Sequence, residues 1–197
     1  LPPFTQALII VNILGYLLEM VLGGIVLQWF ALWPGSLPWV APWQLITYSF
    51  LHAGVTHLAF NMFGLWMFGA DLERVWGSKR LAIAYFASVL TGGLAQLLVG
   101  AVFGAYGGPV VGASGGVFGL LLGYAMLFPN RTIIPLFPPI PMPVKVFALL
   151  YGGLELILGV SGSQAGVAHF AHLGGMLGGF LALQYFRGRA PFGRRWR

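Results

Sequence analysis

Taken as a pattern of apolar and polar positions, the chain is a series of long apolar runs separated by short polar or Gly/Pro-rich breaks. Six runs stand out, at about 4–27, 45–70, 81–103, 114–128, 144–160 and 166–186. A helix crossing a bilayer needs roughly 20 apolar residues, and runs of this length joined by short loops predict a polytopic membrane protein. The expected fold is an all-α bundle of six transmembrane helices. It forms a single domain over 1–186, with a basic tail over 187–197 and no room for a separate soluble unit. The first run is too long for a signal-peptide core and has neither a basic flank nor a small-residue cleavage site, so it is expected to stay as a span. The chain starts at Leu1 rather than Met, which leaves room for a preceding segment.

The fourth run breaks the pattern. Its 15 residues rise about 22 Å as an α-helix, against a hydrocarbon core of about 30 Å. Pro129-Asn130-Arg131 stops it at one end, so the helix must begin below the opposite surface. The four-glycine, charge-free run 104–113 would then dip into the membrane as non-helical backbone. That is tolerated only where protein surrounds it or water reaches it. Ser114 is expected at the bottom of this depression.

Composition sharpens the class. The chain is 58% hydrophobic and only 7% charged, where a soluble domain carries about 25% charged residues. With no cysteine, disulfides, thiolate catalysis and Cys-ligated metals are excluded. A net charge of +6 could suggest a polyanionic ligand, but its distribution says otherwise. The basic residues fall at Arg74, Lys79 and Arg80, at Arg131 and Lys145, and in the tail from Arg187, while the alternate connections have none. This is the positive-inside pattern of an even number of spans. It predicts an integral membrane protein with both termini cytoplasmic, leaning to a bacterial inner membrane, whose surroundings are lipid and not nucleic acid. Between the first two spans, Trp29, Trp33, Trp39 and Trp43 alternate with prolines. They predict an ordered interfacial loop on the far side, with room for short horizontal helices.

The charged span ends provide a common ruler for depth. Ser114 and His172 each lie about 21 Å above the cytoplasmic end of their spans, His57 about 20 Å and Asn61 about 14 Å. A serine and two histidines from three spans thus converge on one level. A serine hydroxyl becomes a nucleophile when a neighbouring histidine takes its proton, so Ser114 is the candidate nucleophile and His172 its base. The alternative for Ser114 by itself is an ordinary helix cap. The start of a helix at Ser114 supplies free N–H groups for an oxyanion. His57 and Asn61, four apart on one helix face, can both donate to the same oxygen. Glu155 lies near the outer end of its span and is available as an orienting carboxylate; nothing in the spacing demands it, and a Ser–His dyad is favoured. Gly112 lets the entering backbone bend. Gly115 and Gly119 on one span, with Gly175 and Gly179 on another, form small-xxx-small stripes that let two helices close together. His172 heads the second stripe, which favours it over His169. A metal or haem held by His52, His57, His169 and His172 is a weaker alternative without Cys or clustered carboxylates, so no metal or cofactor is expected. A transporter is disfavoured because no second broken helix appears.

These residues resemble the rhomboid family of intramembrane serine proteases, over nearly the whole chain from the loop before the second span. Gly112-Ala113-Ser114-Gly115 is similar to the family's GxSG motif. The stretch from His52 to Asn61 resembles its second-span pattern, and Ala171-His172-Leu173-Gly174-Gly175 with Gly179 its AHxxGxxxG motif. Glu73-Arg74-Val75-Trp76-Gly77 is similar to a cytoplasmic turn of the family. The resemblance implies a six-span, rhomboid-like fold with a submerged fourth helix. It implies a serine endopeptidase cleaving transmembrane protein substrates near the extracytoplasmic side, with His57 and Asn61 helping to bind the oxyanion. Two departures stand out. Trp43-Gln44 replaces a Trp-Arg pair of some members, and Phe118 stands where some have tyrosine but can still pack on His172.

Overall fold

The computed structural model describes residues 1–34, 40–104, 108–135, 139–162 and 168–188. It is almost entirely helical. The helices are α1 (Pro3–Leu22), α2 (Gly24–Phe30), α3 (Gln44–Thr47), α4 (Val55–Gly64), α5 (Ala70–Trp76), α6 (Ser78–Phe103), α7 (Ser114–Leu127), α8 (Val144–Ser161) and α9 (His169–Phe186). Three of them, α1, α6 and α8, are individually long and apolar enough to cross a membrane. Their outward faces carry exposed leucine, isoleucine and valine, such as Leu14, Val21, Leu149 and Ile157. Such surfaces suit lipid, not water. Most of the basic tail expected over 187–197 lies outside the described residues.

Two expected spans differ in their boundaries. The first helix breaks at Gly23, whose φ of 55° only glycine adopts readily, and restarts as α2. The second does not run as one helix from residue 45. After α3 and a 3₁₀ turn (Tyr48–Phe50) the chain is extended, and the helix begins at Val55. It then continues through a π-helical stretch (Leu65–Gly69) into α5. The cause is where the backbone donors go. The His52 N–H donates to Glu19 Oε2 on α1 at 3.0 Å, and the Ala53 N–H to His57 Nδ1 at 3.4 Å. Side chains thus satisfy amides that a continuous helix would have bonded internally. The proline-rich connection, expected as loop throughout, contains a minimal antiparallel pairing of β1 (Thr132–Ile133) with β2 (Met142–Pro143).

At the centre, α9 packs between α6 and α7 with backbone nearly on backbone. A Cβ on Gly174 would lie 2.6 Å from both Ala95 Cβ and the Thr91 carbonyl of α6, and one on Gly178 would overlap Thr91. A Cβ on Gly175 or Gly179 would instead land on the carbonyl of Gly115 or Gly119 of α7. The four glycines therefore form two separate faces, one for each neighbouring helix. Lipid tails are as apolar as the side chains, so close van der Waals approach must hold such helices together. Around this contact the core includes Tyr48, Leu65, Leu81, Tyr85, Val89 and Leu120.

The charged turn beyond the apolar part of the second span is tied to the start of α1. Glu73 is 4% exposed and accepts from the Phe4 and Thr5 N–H groups, the Thr5 hydroxyl and the Ser78 hydroxyl at 2.6–2.8 Å. Burial alone would push its carboxyl up, but these hydrogen bonds outweigh it and hold the pKa below its ordinary value. A depressed acid stabilises the fold in full above the unfolded titration range, about pH 4.3. That contribution is lost as pH falls from there through the lowered folded value. Glu73→Gln is therefore expected to lower stability at pH 7 by about 1–2 kcal/mol. The deficit should shrink on acidification below that range. Thermal melts of both proteins between neutral and acid pH measure it, and a deficit that does not change with pH would exclude the charge as its source.

Candidate active site

Ser114 is the first residue of α7, and Ala113 occupies the cap position; no side chain caps this helix start. The hydroxyl is engaged elsewhere: Ser114 Oγ lies 2.7 Å from His172 Nε2. The backbone delivers the serine to this place by three hydrogen bonds. Leu32 and Val110 exchange N–H···O bonds of 3.1 and 2.7 Å, and the Gly112 N–H donates to the Tyr48 carbonyl at 2.9 Å. Tyr48 is buried and anchored through its own hydroxyl, which donates to the Val89 carbonyl at 2.7 Å. Gly112 takes a φ of 123°, and a Cβ there would stand 2.6 Å from His57 Cε1. Only glycine meets both conditions, so the entering strand, His57 and Ser114 can share one small volume.

His172 sits in the first turn of α9 with its ring held flat against Phe118. The centroids are 4.5 Å apart and the planes within 6°. Phe118 is one turn below Ser114, so a single α7 face carries both the hydroxyl and the platform for the imidazole. The stack fixes the plane in which Nε2 points at Ser114.

His57 accepts the Ala53 N–H at Nδ1, which leaves its proton on Nε2. Nε2 is the side of the ring toward Gly112. Asn61, one turn along the same helix, donates from Nδ2 to the His57 carbonyl at 3.0 Å and keeps a second N–H. Ser114, His172, His57 and Asn61 all line one cavity of about 1130 Å³. The start of α7, whose first N–H groups have no partner within the helix, opens on the same cavity at Ser114.

The other two histidines separate. His52 lies above the helix in the extended segment, 1% exposed, its ring edge-on to His57 with centroids 5.2 Å apart. Neither of its ring nitrogens has a hydrogen-bond partner among the described residues. His169, one turn before His172, places Nδ1 2.6 Å from Glu155 Oε2. The same oxygen is 2.9 Å from His172 Nδ1, off the line of that ring's N–H. Spacing alone did not bring Glu155 into the site. The available signal is its flanking glycines: Gly152, Glu155 and Gly159 follow i, i+3, i+7 on α8 and make one stripe. Glu155, His169 and His172 offer three ligand atoms within 4.8 Å of one another. Their shortest separations are carboxylate–imidazole contacts, of which the one to His169 is a hydrogen bond and the one to His172 is not.

A hydroxyl–imidazole pair at the head of a glycine-built helix crossing, inside an apolar bundle, defines a class of intramembrane site. The family model described as Rhomboid domain matches residues 41–189. The chain belongs to the rhomboid family, and it is a multi-pass integral membrane protein. It is 35% identical over 147 residues to Rhomboid protease GluP of Bacillus subtilis (strain 168), covering 71% of this chain and 25% of that protein. It is 32% identical over 187 residues to Rhomboid protease GlpG of Serratia proteamaculans (strain 568), and 30% over 188 residues to that of Yersinia pestis (strain Pestoides F). Each of these two alignments covers 91% of this chain and 61% of the relative. The chain thus spans a quarter to three-fifths of the curated relatives it matches.

Proposed function

We propose that this protein is an intramembrane serine endopeptidase, hydrolysing peptide bonds in or next to the transmembrane segments of membrane-protein substrates with Ser114 and His172. The observation that carries this reading is the 2.7 Å approach of Ser114 Oγ to His172 Nε2 on the floor of a cavity large enough for an extended peptide segment. His172 Nε2 accepts the hydroxyl proton as Oγ bonds to the scissile carbonyl carbon, and the carbonyl π-bond becomes an oxyanion. His57 Nε2–H, the Asn61 amide and the Ser114 N–H receive that oxyanion. Collapse re-forms the carbonyl, breaks the C–N bond, and His172 returns its proton to the leaving amine. Water entering through the cavity then attacks the acyl-enzyme carbonyl as His172 takes its proton; collapse breaks the bond to Ser114 Oγ, which recovers that proton, and the carboxylic acid product leaves.

In the same reading the bundle has six spans, and α7 is the submerged fourth. The basic clusters lie on the cytoplasmic side of a bacterial inner membrane together with both ends of the sequence. Gly115, Gly119, Gly175 and Gly179 serve the chemistry only by bringing α7 and α9 together.

A fluorescent fluorophosphonate incubated with the reconstituted protein is expected to label it in a one-to-one ratio, and Ser114→Ala is expected to abolish the label. Labelling that survives Ser114→Ala would exclude this assignment.

A further inference from the structure

Glu155 is a carboxylate on a membrane-spanning helix, 8% exposed, where an ionised group is costly unless it is paired. It faces α9 because the glycines on either side let α8 press close. Gly152 admits Met176, with a Cβ-to-Cε separation of 3.2 Å, and Gly159 admits the β-carbon of His169 at 3.2 Å. At the contact, Oε2 is anchored by His169 Nδ1 at 2.6 Å and stands 2.9 Å from His172 Nδ1. The opposite nitrogen of His172 faces Ser114. The imidazole therefore lies between a carboxylate and a hydroxyl, in a plane already set by Phe118.

We propose that Glu155 is the positioning acid of His172, making the working unit Ser114–His172–Glu155 with His169 as the anchor of the carboxylate. The inference rests on the reading of Ser114 and His172 as nucleophile and base. A neutral imidazole has two tautomers, and only the one with its proton on Nδ1 leaves Nε2 free to accept from serine. A carboxylate beside Nδ1 selects that tautomer and stabilises the imidazolium formed when the serine proton arrives. The proton stays on His172, and Glu155 does not take it up. The off-line approach closes with a small turn of the carboxylate, as catalytic hydrogen bonds often do only once substrate binds.

The test measures fluorophosphonate labelling of the whole chain in lipid vesicles, separating the saturating rate (kinact) from the half-saturating concentration (KI). Glu155→Gln keeps an acceptor for His169 but removes the charge; it is expected to lower kinact about 100-fold with little change in KI. Glu155→Asp should recover part of that loss. The pair Glu155→Leu with His169→Phe removes the buried charge together with its anchor. It should melt at or above the wild-type temperature while kinact stays low. A kinact for Glu155→Gln within about threefold of wild type, or full recovery in the apolar pair, overturns the proposal and leaves a purely structural contact. If Ser114→Ala still labels, the underlying reading fails and the inference falls with it; if Ser114→Ala is silent, a normal Glu155→Gln rate condemns only the inference.

Discussion

His172→Ala is expected to slow cleavage of a fluorogenic transmembrane peptide about 10⁴-fold or more while leaving the bundle folded. The magnitude follows from the chemistry. Without an acceptor for its proton, the Ser114 hydroxyl is a weak nucleophile, and the leaving amine must depart without a proton donor. What remains comes from binding and from the oxyanion donors at His57, Asn61 and the start of α7. The fold should persist because α9 is held by its glycine faces, which this substitution does not touch. Glu155 also keeps His169 as a partner at 2.6 Å. The loss should therefore appear in kcat with the thermal midpoint nearly unchanged. A variant that folds normally and cleaves within about tenfold of wild type would show that His172 is not the base.

Gly175→Ala should damage both stability and activity. Its new β-carbon would occupy the position of the Gly115 carbonyl. That obstacle is backbone, and no rotamer change clears it, so α7 and α9 must move apart. Overpacking of this kind costs about 1–3 kcal/mol, and a backbone-to-backbone clash belongs at the upper end. Separation also pulls His172 away from Ser114, because both sit in the same helix crossing. A misplacement of about 1 Å can cost on the order of 100-fold in rate. Gly153→Ala is the control: nothing lies within 4 Å of its β-position. There the better helix propensity of alanine should be neutral or stabilising by up to about 1 kcal/mol. Parallel melts and peptide-cleavage rates measure the contrast, and equal behaviour of the two variants would exclude close packing as the role of Gly175.

The glycines at 175 and 179 were visible as a small-residue stripe from spacing alone, since a helix places residues four apart on one face. That this stripe would meet Gly115 and Gly119 was expected; that Gly174 and Gly178 form a second face against α6 was not visible. That depends on α6 and α7 flanking α9 from two directions. The same limit applied to residues 45–54: their apolar composition reads as the start of a span. The amides of His52 and Ala53 are nevertheless taken by Glu19, on another helix, and by His57, whose ring folds back.

Hydrophobic run lengths and charge placement determined that this is a helical membrane protein, because a bilayer imposes a minimum apolar length and a charge asymmetry on any sequence that crosses it. Run length also made α7 short, and the GxSG and AHxxGxxxG stretches marked Ser114 and His172 as residues to watch. Tertiary structure alone decided the plane of the His172 ring, the tautomer of His57 and the position of Glu155 beside two imidazoles. The first and the last depend on side chains from different helices meeting, and the His57 tautomer on the Ala53 N–H of the extended segment before its helix. Spacing along one helix carries no information about the rotation of its neighbour.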